Sequence, residues 1–297
     1  MNTKTFEEHL SDVANSIKIK VEELLLEHSK LKYYNPSGDG IVFINASGNY
    51  NWQKLPLDGQ RLQSQILQEY NKYADILRVL TVSQTKDRIK SFENNDKIIR
   101  RNIEQTGSTW CKTTQEIFGK TLQALNALQG LLETFHSSEE KFLFVPDTNA
   151  LLYNPQIDLW TFDNVKKFTI ILTPTILSEL DVLKINHKNE SVRQSSERLI
   201  RQIKEYRRRG SLIDGITIVK NKVYLQSIAI EPNFSESLPW LDPENNDDRF
   251  IATVFEIIKN NLRSSVMLVT RDINMQNKAE FSCLPYNEPP EPKKGKN

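Results

Sequence analysis

Three short runs in the second half of the chain, FLFV (142–145), FTIIL (168–172) and VMLV (266–269), are apolar throughout except for Thr169. A strand with one face in water alternates apolar and polar side chains. One that reads apolar throughout is covered on both faces, as in a parallel sheet packed between helices. Helical patterns lie between these runs. One opens at Thr173-Pro174, a threonine suited to capping followed by a proline suited to the first helical position. A second covers Ser191 to Arg209 and stops at Gly210. A third begins near Asn246 and carries Phe250, Ile251, Val254, Phe255, Ile257 and Ile258. Alternating units of this kind predict a three-layer α/β domain with a central parallel sheet and right-handed crossovers. The segment from Gly210 to Glu236, including ITIVKNKVYLQSIAI, reads as an extra pair of strands that frames or covers the cleft.

The first half reads differently. From Phe6 to about His28 apolar residues recur at Leu10, Val13, Ile17, Val21, Leu24 and Leu25, the spacing of one helix face. Helical periodicity returns over about 58–82, 86–104 and 108–135, where Ile117, Leu122, Leu125, Leu128 and Leu131 mark one side. A turn-rich stretch, YYNPSGDGIVFINASGNYNW, interrupts it with one short apolar run, Ile41 to Ile44, expected as a strand or hairpin. Residues 1–140 are therefore expected to be a mainly helical, bundle-like domain. The polar segment HSSEEK (136–141) is the expected boundary, 141–285 the α/β domain, and 286–297, ending NEPPEPKKGKN, a disordered tail. With 39 basic and 38 acidic residues the net charge is +1, so any affinity for nucleic acid has to come from a local surface. Cys111 and Cys283 match no metal spacing and read as reduced thiols of a cytoplasmic protein. No stretch has the roughly 20 apolar residues of a membrane span.

Four acids stand where ligands gather in such folds, beyond the carboxyl ends of the strands. Asp147 follows the first strand and Asp272 the last. Glu179 lies in the helix after the second strand, in TPTILSELD, and Asp247 with Asp248 opens the helix of NNDDRFIATVF. Each has a structural alternative, because Asp ends strands as a turn former and opens helices as a cap or dipole partner. Carboxylates converging on one point repel one another unless cations lie between them, and hard divalent ions such as Mg2+ or Mn2+ suit an all-oxygen donor set.

The ordered motifs PDTNALLYNP, TPTILSELDVLK, NNDDRF and LVTRDINMQNKA resemble the PIN domain, a metal-dependent nuclease family, over about residues 141–283. The likeness is greatest to the PIN module of PhoH-like proteins. It implies that Asp147, Glu179, Asp247 and Asp272 are the catalytic, metal-binding acids. Asn149, Asp248, Thr270 and Asn274 are then supporting polar residues. The implied reaction is endonucleolytic hydrolysis of RNA phosphodiesters by a metal-activated water with Mg2+ or Mn2+ as cofactor, single-stranded RNA being the favoured partner. A non-catalytic PIN-fold module that binds RNA or protein is the alternative. Haloacid-dehalogenase-like phosphatases also begin with a strand ending in Asp, but they need a second acid two positions later, where this chain has Asn149. For the helical half, substrate recruitment, assembly into a homo-oligomer and regulation all stay open.

Six positive charges fall within residues 198–209, among them Arg207 and Arg208. They read either as a surface that tracks phosphates or as a solvated helix face paired with Glu197 and Glu205. Arg249 and Arg271, each beside a proposed ligand, and Lys184, just over one turn beyond Glu179, are candidates for contacting substrate phosphate. Tyr153, Trp160 and Trp240 are candidates for stacking on bases, with core packing as the commoner role of such residues.

Overall fold

A computed structural model describes residues 5–34, 49–135, 141–261 and 264–292. The expected strand at Ile41 to Ile44 and most of the boundary segment 136–141 lie outside them. By its contacts the chain divides into Leu10–Glu133 and a second unit, Thr134–Asn297 together with Met1–His9.

The first unit is built from four long helices and a small sheet. Phe6–Glu23 (α1) buries Leu10, Ala14, Ile17 and Val21, which recur every three or four residues along one face. The chain then widens into a π turn at Leu24–His28. Leu31–Tyr33 (β1) pairs antiparallel with Tyr50–Trp52 (β2), and β2 pairs with Ser108–Thr109 (β3). Leu57–Thr81 (α2) and Lys86–Glu104 (α3) are joined across their contact by a polar network. The Tyr70 hydroxyl donates to Asp96 at 2.8 Å, and the Arg100 guanidinium holds both oxygens of that carboxylate at 2.9 and 3.0 Å. The helix expected over 108–135 is shorter than its periodicity implies. Thr114–Gly130 (α4) starts only after Thr113, whose side chain accepts from the Glu116 N–H while the Glu116 carboxylate accepts from the Lys112 N–H. This pair of bonds, a capping box shifted so that Glu116 reaches the residue before the cap, fixes the start of α4 and leaves Ser108–Thr109 free to pair as a strand.

In the second unit a six-stranded sheet is flanked by helices. Its strands are Lys141–Pro146 (β4), Phe168–Leu172 (β5), Ile216–Val219 (β6), Val223–Ser227 (β7), Ser264–Val269 (β8) and Tyr286–Asn287 (β9), in the spatial order β6-β7-β5-β4-β8-β9. All neighbours are parallel except β6, which runs antiparallel beside β7 at the edge. The helices are Thr148–Tyr153 (α5), Pro174–Asn186 (α6), Glu190–Arg207 (α7), Asn246–Asn260 (α8) and Ile273–Phe281 (α9). The central strands are buried on both sides: Leu143, Phe144, Val145, Ile170, Leu172, Leu268 and Val269 are all closed to solvent. Phe162 stacks on Phe144 and meets Phe168 edge to face.

Two expectations change. The extra strands at 216–227 are the edge of the main sheet, with β7 hydrogen-bonded to β5 along its whole length. The tail expected to be disordered from residue 286 begins instead as β9, whose Asn287 carbonyl accepts from the Thr270 N–H. The chain then stays against α5, where the Asn154 amide donates to the Pro290 carbonyl at 2.8 Å and the Tyr153 hydroxyl to Glu291. Residues 293–297 lie outside the described residues.

Candidate active site

After β4 the chain builds outward through β5 and β7, then returns through α8 to place β8 on the opposite side of β4. The direction of winding therefore reverses between β4 and β8, and a crevice opens at their carboxyl ends where connections leave to opposite sides. Asp147 and Asp272 follow those two strands.

Asp147 is 6% exposed and caps α5, its Oδ1 accepting from the Ala150 N–H at 2.6 Å. Its other oxygen accepts from the buried Thr270 hydroxyl at 2.5 Å, and its own N–H donates to the Val269 carbonyl. Thr270 Oγ1 in turn accepts from the Asp272 N–H at 3.0 Å, so one hydroxyl ties the two strand ends together. Burial pushes the Asp147 carboxyl up from 3.8 to about 6, and the charges of Asp272 and Glu179 push in the same direction. The hydrogen bonds from Thr270 and Ala150 pull it down without cancelling the rise. Among the described residues no positive charge acts on Asp147 to offset Asp272 and Glu179.

Asp272 caps α9, accepting from the N–H groups of Asn274 and Met275 at 2.8 and 3.3 Å. Glu179 comes from α6 and accepts from the Thr148 hydroxyl at 2.5 Å. Asp247 is half-buried and does not cap its helix. Asn245 takes that role, accepting from the N–H groups of Asp247 and Asp248. Asp247 is thereby available to the crevice, where its Oδ2 accepts from the Asn274 amide at 3.0 Å and lies 3.5 Å from Lys278 Nζ. Asp248 is the structural acid of the pair. It is buried, accepts from the Asp242 N–H at 3.0 Å and holds Lys278 at 2.7 Å.

Hydrogen bonds and charge link the four proposed ligands into one neighbourhood. Their donors are all hard oxygens, and the unbalanced charge on Asp147 suits a divalent cation. Yet among the described residues no three acidic, histidine or cysteine side chains are gathered closely enough to hold an ion. Asp147 and Asp272 instead turn oxygens inward as caps.

The remaining candidates divide. Thr270 hydrogen-bonds Asp147 and Asn274 hydrogen-bonds Asp247, whereas Asn149 is exposed on the first turn of α5. Arg271 lies over the Tyr153 ring at 3.7 Å, so Tyr153 carries a guanidinium on its face. Arg249 pairs with Glu231 at 2.9 Å, and Lys184 with Asp181 at 3.6 Å. Arg207 and Arg208 are exposed at the end of α7, and Arg208 pairs with Glu205 at 2.6 Å. Trp160 is fully buried with its indole N–H donated to the Asn154 carbonyl, which makes it core, and Trp240 meets Phe281 edge to face. Sequence reasoning missed Thr148, next to Asp147, and Lys278, one turn after Asn274. The signal for each was its spacing from a residue already singled out.

Residues 144–286 match the family model described as PIN domain. No curated protein matches the chain. Among the described residues no helix is long and apolar enough to cross a membrane.

Proposed function

From the premise that residues 144–286 are a PIN domain, a family whose members are generally nucleases that typically use divalent metals, we propose that the chain is an endoribonuclease dependent on Mg2+ or Mn2+. The observation that carries this reading is the buried Asp147 at the switch point, with its carboxyl raised to about 6 and uncompensated negative charge from Asp272 and Glu179 beside it. Asp147, Glu179, Asp247 and Asp272 would hold the cation. When bound, it supplies a water of lowered pKa and a positive charge facing the departing 3′ oxygen.

The other residues orient this set. Thr270 fixes one oxygen of Asp147, Thr148 fixes Glu179, and Asn274 fixes Asp247. Lys278 ties Asp248 to the same helix and limits repulsion between the adjacent acids at the start of α8. Arg271, spread on Tyr153, offers its edge to a phosphate, and Arg249 and Lys184 reach phosphates on release from Glu231 and Asp181. Arg207 and Arg208 extend the contact along a single strand of RNA by charge alone.

A second reading, a PIN fold that binds RNA without cutting it, draws support from the ungathered carboxylates. Incubation of single-stranded RNA with the protein under Mg2+, Mn2+ or chelator separates the two. Cleavage is expected with either metal, and none with chelator or with Asp147→Asn. Binding without cleavage under every condition would favour the second reading.

A further inference from the structure

The helical unit contains an open pocket of about 510 Å³ between α3, the segment 105–113 and α4. Its size falls within the roughly 300–1,000 Å³ of small-molecule sites. All of its lining comes from residues within Leu10–Glu133, so it is separate from the site described above.

The chemistry of its wall is specific. Arg101 and Lys120 are the charged residues that line it, both are cationic, and no acidic residue takes part. Among the described residues neither has a carboxylate partner; Arg101 donates to the Ser108 carbonyl, which pins it beside β3. Trp110 is 59% exposed at the rim, a large indole with no ring partner among the described residues. Such a ring normally packs into a core unless a flat partner covers it. Asn95 and Asn102 also line the wall, and each commits one amide hydrogen within the protein, to the Ser91 carbonyl and to Thr121 Oγ1. What each can offer a ligand is its side-chain carbonyl, an acceptor, and its second N–H. The floor is apolar, with Ile117 and Ala124 buried beneath.

We propose that this pocket binds a nucleoside phosphate, its base stacked on Trp110 with the amide carbonyls at the base edge and its phosphate held by Arg101 and Lys120. A planar ring, an acceptor pair and two unopposed cations match the three parts of a nucleotide. The same chemistry comes from two sources, a free mononucleotide or one residue of a single-stranded RNA. A peptide carrying an aromatic and an acidic side chain is the competing ligand, and the measurements below separate it.

Binding of adenosine monophosphate and of a fluorescein-labelled RNA hexamer to the full chain, in chelator so that no cleavage intervenes, tests this. Trp110→Ala and Lys120→Glu should each weaken the bound probe by about tenfold or more, with Trp110→Phe retaining most of the affinity. Loss for both probes identifies a free-nucleotide site, and loss for the hexamer alone identifies a site for RNA strands. A thermal transition kept by each variant excludes unfolding as the cause. Affinities for both probes within twofold of the unsubstituted chain in Trp110→Ala and Lys120→Glu would overturn the proposal, as would loss seen only with an acidic aromatic peptide. Because every arm is run without metal, failure here leaves the nuclease reading untouched, and failure of cleavage leaves this one untouched.

Discussion

Asp147→Asn is expected to make the protein more stable while disabling it. The native environment raises this carboxyl from 3.8 to about 6. A difference of about two pH units corresponds to roughly 3 kcal/mol at about 1.4 kcal/mol per unit. The sign follows from proton binding. The folded chain holds the Asp147 proton more tightly than the unfolded chain does, so stability is lost as pH rises from 3.8 to about 6. Above that range the full penalty of a buried, uncompensated carboxylate is present. Asn carries no charge and escapes it, but with one acceptor oxygen in place of two it loses either the Thr270 or the Ala150 bond, at a cost of about 1–2 kcal/mol, leaving a net gain of about 1–2 kcal/mol. For a unit of this size that is an increase of roughly 3–7 °C in Tm. Calorimetry in chelator at pH 4.0, 5.5 and 7.5 measures it, with the two proteins converging at the lowest pH and diverging as pH rises. Adding Mn2+ should raise the Tm of the unsubstituted protein alone, by the linkage of binding to folding. A variant less stable at pH 7.5, or a difference that does not change with pH, would refute the reasoning.

Thr270→Ala removes a donor that lowers the Asp147 carboxyl, so the acid limb of the cleavage profile should move to higher pH by roughly one unit, with Thr270→Ser restoring it; pH-rate profiles read this directly. Lys278→Met leaves Asp248, whose side chain is 13% exposed, without its cation. A loss of about 1–3 kcal/mol is expected in urea unfolding, and it should shrink when Asp248→Asn is combined with it. Arg207→Glu with Arg208→Glu should weaken RNA binding in chelator and reduce the slope of log affinity against log salt by about 1.4, at roughly 0.7 per phosphate contact. An unchanged slope would assign these residues to a solvated helix face.

The elements most legible in the sequence are those whose signal is local. The run from Phe168 to Leu172 is β5, the pattern over 86–104 is α3, and Thr173-Pro174 caps and opens α6. β9 was not legible, because two polar-flanked residues join the sheet only by docking on β8. The start of α4 was written in Thr113 and Glu116, whereas β3 was not legible, because Ser108 and Thr109 join a sheet only by pairing with β2. At the site, the order of the acids along the chain was readable because Asp147, Asp247 and Asp272 follow a strand or open a helix and Glu179 lies within the helix after β5. The resemblance preferred Asp247 to Asp248 as a ligand, but the contacts that separate them, to Asn274 on one side and to Lys278 and the Asp242 N–H on the other, involve partners that meet only in three dimensions. Trp160 was a candidate for stacking on a base with core packing as the commoner role, and the fold buries it.

The most direct test of the proposed chemistry is the identity of the new ends when the protein cuts a single-stranded RNA in Mn2+. Attack by a metal-activated water with departure of the 3′ oxygen leaves a 5′-phosphate and a 3′-hydroxyl, and those ends are the predicted result. A 5′-hydroxyl with a 2′,3′-cyclic phosphate, or cleavage that persists in chelator, would contradict it.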